Sequence, residues 1–377
     1  MSKKKEAFDY VYYGTACDTA ELERFLAHTM TVNDKLEADG RRKTPVCIWG
    51  RHGIGKTEVV ESLARSRGAE FVAIAPAQFE EMGDLMGMPV VVDDGKATRM
   101  APPEWVPRRE GPGVLLIDDV NRADDRILRG LMQLLQNHEL AGWKLPSGWQ
   151  IVLTANPDGG DYSVTPMDDA MLTRMLHVTL RFDVKRWAAW AERTGVDPRG
   201  IAFVLTYPET VTGERTTPRT LVQFFDRIAG IADLKKEVDL VTILGESCLD
   251  KATVSTFIAF VNQNLEDLVS PEDILGAKKL ETVAARLGRL VDRDVKRVDM
   301  LAAICTRLVN HLTLRKGALP DKELQNLRDF VKLPMLPEDM RLALAQDLSL
   351  LDAKKGIAKI MGDPDVAKLL LRLASSK

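Results

Sequence analysis

Residues 50–57 read GRHGIGKT, and this stretch limits the possible folds more than any other in the chain. Before it stands PVCIW, a short apolar run that reads as a buried strand; after it KTEVVESLARSR is apolar at helical spacing. A strand, a glycine-rich turn and a helix are the setting in which backbone N–H groups turn inward around phosphate oxygens. The helix N-terminus already favours anions there. Lys56 has the length to reach the β- and γ-phosphates, and the Thr57 hydroxyl can ligate Mg²⁺. The expected nucleotide-binding set is Gly50, Gly53, Ile54, Gly55, Lys56, Thr57 and Glu58, with ATP and Mg²⁺ as the bound species.

A phosphate loop needs a second contact to its metal. The run VLLIDDVNRAD, residues 114–124, supplies one. Two carboxylates at the end of an apolar strand are costly unless a cation lies beside them. Asp118 follows the apolar residues directly, so we expect it to hold Mg²⁺ from a strand beside the phosphate-loop strand, usually through water. Asp119 is then the residue expected next to the γ-phosphate, polarising an attacking water. Asp124 is better placed than either to cap the helix DDRILRGLMQLLQ.

The wider pattern extends this to an α/β class. PVCIW, EFVAIA, VLLID, QIVLTAN and LHVTLRF are short, apolar and rich in β-branched residues, and helical patterns separate them. This predicts parallel strands with helical crossovers between residues 44 and 183. GMPVVVDDGKATRM and HELAGWKLPSGWQ interrupt the alternation and read as hairpins. Residues 1–43 are expected to be a helical lead-in, with ELERFLAHTM as its helix. After Val184 strand-like runs almost vanish, and VKRWAAWAERTG, PRTLVQFFDRIAGIADL, VSTFIAFVNQNLEDLV and PDVAKLLLRLASS keep helical periodicity. Trp187 and Trp190, three residues apart, are expected in the core of that half. At 377 residues the chain has room for two or three domains, and its net charge of -3 provides no global attraction to DNA or anionic lipid. Four scattered cysteines without a CxxC spacing fit reduced thiols in a cytoplasm. MSKKKEAFDY carries no apolar stretch of the signal-peptide kind, and no run is long enough to span a membrane.

In this order the motifs resemble those of the MoxR-type AAA+ ATPases and their CbbQ/NorQ-like relatives. In that family a strand ends in Asp-Glu and runs into an Asn-Arg-Ala step, where this chain has IDDVNRA. The resemblance runs from about Thr44 to about residue 275. It implies an AAA+ P-loop NTPase core over residues 44–183 and an all-α lid over 184–275; past the resemblance, helical periodicity alone predicts a helical C-terminal extension over 276–377. LTANP is similar to the sensor 1 segment, which makes Asn156 the residue orienting the attacking water. PMDDAMLTRMLHV is similar to the arginine-finger segment, with Arg174 acting on nucleotide bound by a neighbouring subunit and Arg181 as the nearby alternative. TTPRTLVQF is similar to sensor 2, with Arg219 facing the γ-phosphate from the lid. The two hairpins correspond to the helix-2 insert and pre-sensor-1 hairpin of this clade, which usually face a central pore.

The resemblance implies a Mg²⁺-ATP-dependent homo-oligomeric ring, typically hexameric, that remodels a protein client, often one with a von Willebrand factor A domain. A nucleic-acid motor is the second expectation, with Lys96, Arg99 and Lys144 as a basic pore lining. A weakly hydrolysing scaffold is the third, because Asp119 stands where glutamate is usual. Its carboxylate is set back by roughly 1.3 to 1.5 Å, one carbon–carbon bond.

Overall fold

Each apolar run named above alternates its side chains between two faces, and in the computed structural model both faces of the three central runs, VCIW, GVLLI and WQIVLTA, are covered. The structure describes residues 11, 13–157, 164–264, 268–292 and 297–351, with 357, 360, 362–364, 366 and 367 beyond them. Its chain divides into two compact units, Met1–Asp183 and Val184–Lys377.

The first unit runs β1 (Thr15–Cys17), α1 (Thr19–Ala38), β2 (Val46–Trp49), α2 (Lys56–Ser66), β3 (Glu70–Ile74), α3 (Met82–Met86), β4 (Met88–Val92) and β5 (Ala97–Ala101). It continues through β6 (Gly113–Ile117), α4 (Asp125–Asn137), β7 (Glu139–Leu140), β8 (Trp143–Lys144), β9 (Trp149–Ala155), α5 (Asp169–Leu172) and β10 (Leu176–Leu180). Six strands form one parallel sheet in the order β1-β10-β2-β9-β6-β3. Val46, Ile48, Val114, Leu116 and Val152 face α1 and α2, where they meet Leu22, Leu26, Val60 and Leu63. Cys47, Trp49, Leu115, Ile117 and Leu153 face the other way, onto Ile127, Leu131, Leu134 and Leu135 of α4. Full burial of one such side chain is worth about 1.5–3 kcal/mol, so the three layers hold the strand ends in fixed register.

Two expectations are corrected here. The Asp118 strand does not lie beside the phosphate-loop strand, because β9 pairs with β2 on one side and β6 on the other. The site forms nonetheless, since parallel strands deliver all their carboxyl ends to one edge of the sheet. The lead-in is not purely helical either: Thr15–Cys17 pairs in parallel with Val178–Leu180, and α1 buries Leu22, Leu26 and Met30 in the core of this unit. A three-residue edge strand leaves almost no periodicity to read. Within α1 the helix start is locally encoded, since Asp18 and Glu21 form a reciprocal capping box.

Both hairpins form. β4 and β5 pair antiparallel around Asp93–Gly95, where Asp93, Asp94 and Gly95 take positive φ. β7 and β8 pair across Ala141 and Gly142. Trp149, expected inside that second passage, instead opens β9.

The second unit is helical among its described residues: α6 (Val184–Thr194), α7 (Pro198–Thr206), α8 (Pro218–Ile228), α9 (Val238–Cys248) and α10 (Lys251–Asn264). α11 (Pro271–Leu275), α12 (Leu280–Val291), α13 (Val298–Leu314), α14 (Asp321–Val331) and α15 (Glu338–Ser349) complete it. Phe203, Phe224, Phe225, Phe257 and Phe260 form its buried aromatic centre. Trp187 is buried and Trp190 half-buried. α13 packs against α6 and α7, so the residue range expected as an extension shares a core with the range expected as a lid. Lys3–Lys5 and most of PDVAKLLLRLASS lie outside the described residues. No described helix is long and apolar enough to cross a membrane.

Candidate active site

The phosphate loop leaves β2 at Gly50, whose N–H donates to the Ala155 carbonyl at 3.2 Å. A Cβ on Gly50 would stand 2.6 Å from Ile54 Cδ1 and 3.1 Å from the Leu180 carbonyl oxygen, so a side chain there would force Ile54 and the loop to shift. Gly53 and Gly55 take φ of 72° and 94°, the left-handed region that turns successive N–H groups to one side. Ile54 is half-buried against the core under α2 and seats the loop from below. Gly55 is the N-cap of α2 and no side chain caps the helix, which leaves its first N–H groups for an anion. Glu58 is exposed in the first turn.

Lys56 is buried, at 6% exposure. Its Nζ donates to the Gly50 carbonyl at 2.8 Å, the Arg51 carbonyl at 3.2 Å and Asn156 Oδ1 at 3.2 Å, and it lies 3.9 Å from Asp119 Oδ1. Thr57 Oγ1 donates to Asp118 Oδ1 at 3.0 Å. Asn156, fully buried, donates from Nδ2 to Asp119 Oδ1 at 3.0 Å. Lys56, Thr57, Asp118, Asp119 and Asn156 thus meet at one edge of the sheet, although up to 100 residues of chain separate them. Asp124 caps α4, accepting from the Ile127 N–H at 2.9 Å, which leaves Asp118 and Asp119 to the site.

Three further residues were not singled out from the sequence. Thr154, fully buried on β9, donates to Asp118 Oδ1 at 2.6 Å and accepts from the Asp119 N–H at 2.8 Å, so one hydroxyl holds both aspartates. Asn121 exchanges two hydrogen bonds with the Asn156 backbone. Arg122 Nε lies 3.4 Å from Asp119 Oδ2. Asp119 itself sits in the left-handed region, φ 48° and ψ 46°, a conformation that short Asp and Asn side chains tolerate best among non-glycine residues. The LTANP segment carried the signal for Thr154, but a strand threonine looks the same whether or not a carboxylate lies opposite.

The three arginines expected to take part stand on other elements. Arg174 is half-buried between α5 and β10, with Nε donating to Gln136 Oε1 at 3.1 Å and Nη1 donating to the Ala170 carbonyl. Neither partner belongs to the phosphate loop. Arg181 follows β10; its side chain is exposed and its N–H donates to the Cys17 carbonyl. Arg219 is exposed in the first turn of α8, in the second unit, behind the Thr217 cap.

The donor set suits Mg²⁺ and a polyphosphate. A hydroxyl and a carboxylate, both hard oxygen donors, meet at Thr57 and Asp118. Mg²⁺ uses one or two protein oxygens and takes its remaining ligands from phosphate and water. Among the described residues no group of three or more His, Cys, Asp and Glu residues forms an alternative metal cage.

Comparison with known proteins agrees with this chemistry over part of the chain. Residues 45–175 match the family model described as AAA domain (dynein-related subfamily). Among solved structures, a variant of RuvB from Thermotoga maritima aligns with a TM-score of 0.38 and 15% identity, over 76% of this chain and 90% of that one. The Thermotoga maritima RuvB Holliday junction branch migration motor aligns at 0.36 and 14%, over 81% and 94%. Likeness this distant says nothing of what the present chain acts on. What the family match covers is the stretch from the phosphate-loop strand to Met175, and residues 45–175 are an AAA+ domain of the P-loop type.

Proposed function

We propose that the chain is a Mg²⁺-ATP hydrolase of the MoxR-type branch that assembles into a ring, typically a hexamer, and remodels a protein client. The observation that carries this reading is the closed set of contacts from Thr57 through Asp118, Thr154, Asp119 and Asn156 to Lys56. Such a set supports reading Lys56 as the phosphate-binding cation, Asp118 as the metal-binding carboxylate and Asp119 as the general base beside a phosphate cradle. Lys56 and the N-terminal N–H groups of α2 would bind the phosphates, with Thr57 and Asp118 holding Mg²⁺. Bound Mg²⁺ supplies charge neutralisation at the phosphates. Asp119 would receive the proton of the attacking water while Asn156 orients that water. Because Asp119 is short, turnover is expected to be slow; displacements of about 1 Å can cost about 10²-fold.

Arg174 is proposed to act on a neighbouring subunit's nucleotide and Arg219 to sense the γ-phosphate, roles taken from the resemblance. A protein client, of which a von Willebrand factor A domain is one candidate, suits the first hairpin better than nucleic acid does. Met88 and Val91 there are 66% and 71% exposed, and the exposed Lys96 and Arg99 share the hairpin with exposed Asp93 and Asp94, so its surface is apolar without a net basic charge.

ATP turnover and particle mass, measured together for the wild-type chain, Lys56→Ala and Asp119→Asn, test the reading. Slow wild-type turnover, none in Lys56→Ala and a loss of about 10² in Asp119→Asn are expected, with ATP-dependent assembly of the wild type. Wild-type turnover no faster than Lys56→Ala would leave a scaffold. A chain that stays monomeric with ATP at micromolar concentration would remove the ring, and stimulation by DNA would favour a nucleic-acid motor.

A further inference from the structure

One residue, Val120, separates the paired aspartates from the Asn-Arg step. We infer that Asn121 is the positioning residue for Asn156: its side-chain amide pins the Asn156 backbone and so sets the contact between Lys56 and Asp119. The inference rests on the hydrolase reading above.

The need arises where the sheet opens. The β6–β9 ladder ends at Ile117 opposite Leu153, and the left-handed turn at Asp119 carries the chain away from β9. Asn156 stands one residue past the end of β9 and is fully buried, so its backbone N–H and C=O lose the partner strand without gaining water. Buried backbone groups left in that state are rare because each is costly. Asn121 meets both needs: its Oδ1 accepts from the Asn156 N–H at 3.0 Å and its Nδ2 donates to the Asn156 carbonyl at 2.8 Å. Asn121 is itself only 2% exposed. A primary amide carries one acceptor and a donor at the spacing of a peptide group; among uncharged side chains only Asn and Gln do, and Gln is a methylene too long. The turn bearing Asn121 is held in its own right. Its carbonyl accepts from the Thr165 N–H at 2.8 Å, and Thr165 Oγ1 donates to the Ala123 carbonyl at 2.7 Å.

With the backbone pinned, the Asn156 side chain has one productive orientation. Its oxygen faces the Lys56 ammonium at 3.2 Å and its NH₂ faces the Asp119 carboxylate at 3.0 Å. The reverse orientation would set donor against donor and acceptor against acceptor. Releasing the backbone therefore displaces the group that orients the water, while Lys56 keeps the Gly50 and Arg51 carbonyls that hold it in the phosphate cradle.

The experiment compares kcat, ATP affinity and melting temperature for wild type, Asn121→Ala, Asn156→Ala, the double variant and the isosteric Asn121→Asp. Asn121→Ala is expected to lose about 10- to 100-fold in kcat with ATP affinity within about threefold of wild type. The double variant should be no slower than Asn156→Ala alone, because the two residues act through one group. In Asn121→Asp the carboxylate still accepts from the N–H but cannot donate to the carbonyl. Its rate relative to wild type should therefore recover as pH falls and the carboxyl regains a donor. That variant also carries the test if Asn121→Ala does not fold. Wild-type kcat in Asn121→Ala, or losses that multiply in the double variant, would overturn the inference alone. A wild-type chain that binds ATP without turnover would overturn the hydrolase reading, and the inference with it.

Discussion

Replacing Thr154 with valine removes one hydroxyl and almost no volume, yet that hydroxyl touches both aspartates. Thr154 is fully buried, so no water replaces it on β9. The Asp119 N–H loses its acceptor at 2.8 Å, and an unpaired buried N–H costs about 1–3 kcal/mol. Asp118 loses a charge-assisted donor at 2.6 Å, about 1.5–3 kcal/mol where nothing substitutes. Asp118 is half-buried and keeps the Thr57 hydroxyl, so water recovers part of the second term. The net cost is about 3 kcal/mol, which for a unit of this size lowers Tm by about 6–12 °C. Turnover should fall further than stability alone explains, by about 10- to 100-fold, since both carboxylates lose the same anchor. Thr154→Ser is the control, giving up one buried methyl for about 1 kcal/mol while keeping the hydroxyl. The assay is a thermal melt followed by ATP turnover well below the melting range. A Thr154→Val protein with wild-type Tm and kcat, or a Thr154→Ser protein as damaged as Thr154→Val, would refute the reasoning.

Two buried titrating groups give opposite pH signatures. Burial pushes the His138 imidazole down to about 4, with nearby Lys43 adding to the effect. Unfolded, the ring binds a proton near its ordinary 6.5, so stability falls as pH drops through about 6.5 and levels off below about 4, a total of about 3 kcal/mol. His138→Asn keeps a residue that tolerates the left-handed φ of 57° and should flatten that acid limb in pH-dependent melts. In the helical unit, burial raises the Glu192 carboxyl to about 7 against the lowering effect of Arg307, 3.4 Å away. The raised value means stability is fully present below the ordinary carboxylate range and is lost as pH rises through about 7. Glu192→Gln should reduce the slope of stability against pH between about 5 and 8, even though leaving Arg307 unpaired lowers its level.

The nucleotide-binding half was readable where its chemistry is contiguous. GRHGIGKT needs its glycines at the turn and its Lys-Thr at the helix start, so residue types and spacing are enough to announce it. The central strands were equally legible, because a strand buried on both faces is apolar throughout, as β2, β6 and β9 are. The DDGK hairpin was visible for a related reason, since Asp-Gly tolerates the positive φ its turn requires. β1 was not legible: three residues, two of them exposed, carry no pattern and take their strand geometry from β10.

Sequence alone thus determined the strand–loop–helix unit, the paired aspartates and the helical character of the second half, all of which depend on neighbours within a few residues. Tertiary structure decided what those residues touch. β9 lies between the two strands that carry the phosphate loop and the aspartates, and it brings Thr154 and Asn156 within hydrogen-bond distance of residues 35–100 positions away. A threonine or an asparagine has the same local preferences whether a carboxylate, a backbone amide or water satisfies it. Which of these does so is set by strand order and register, and those follow from packing the whole sheet.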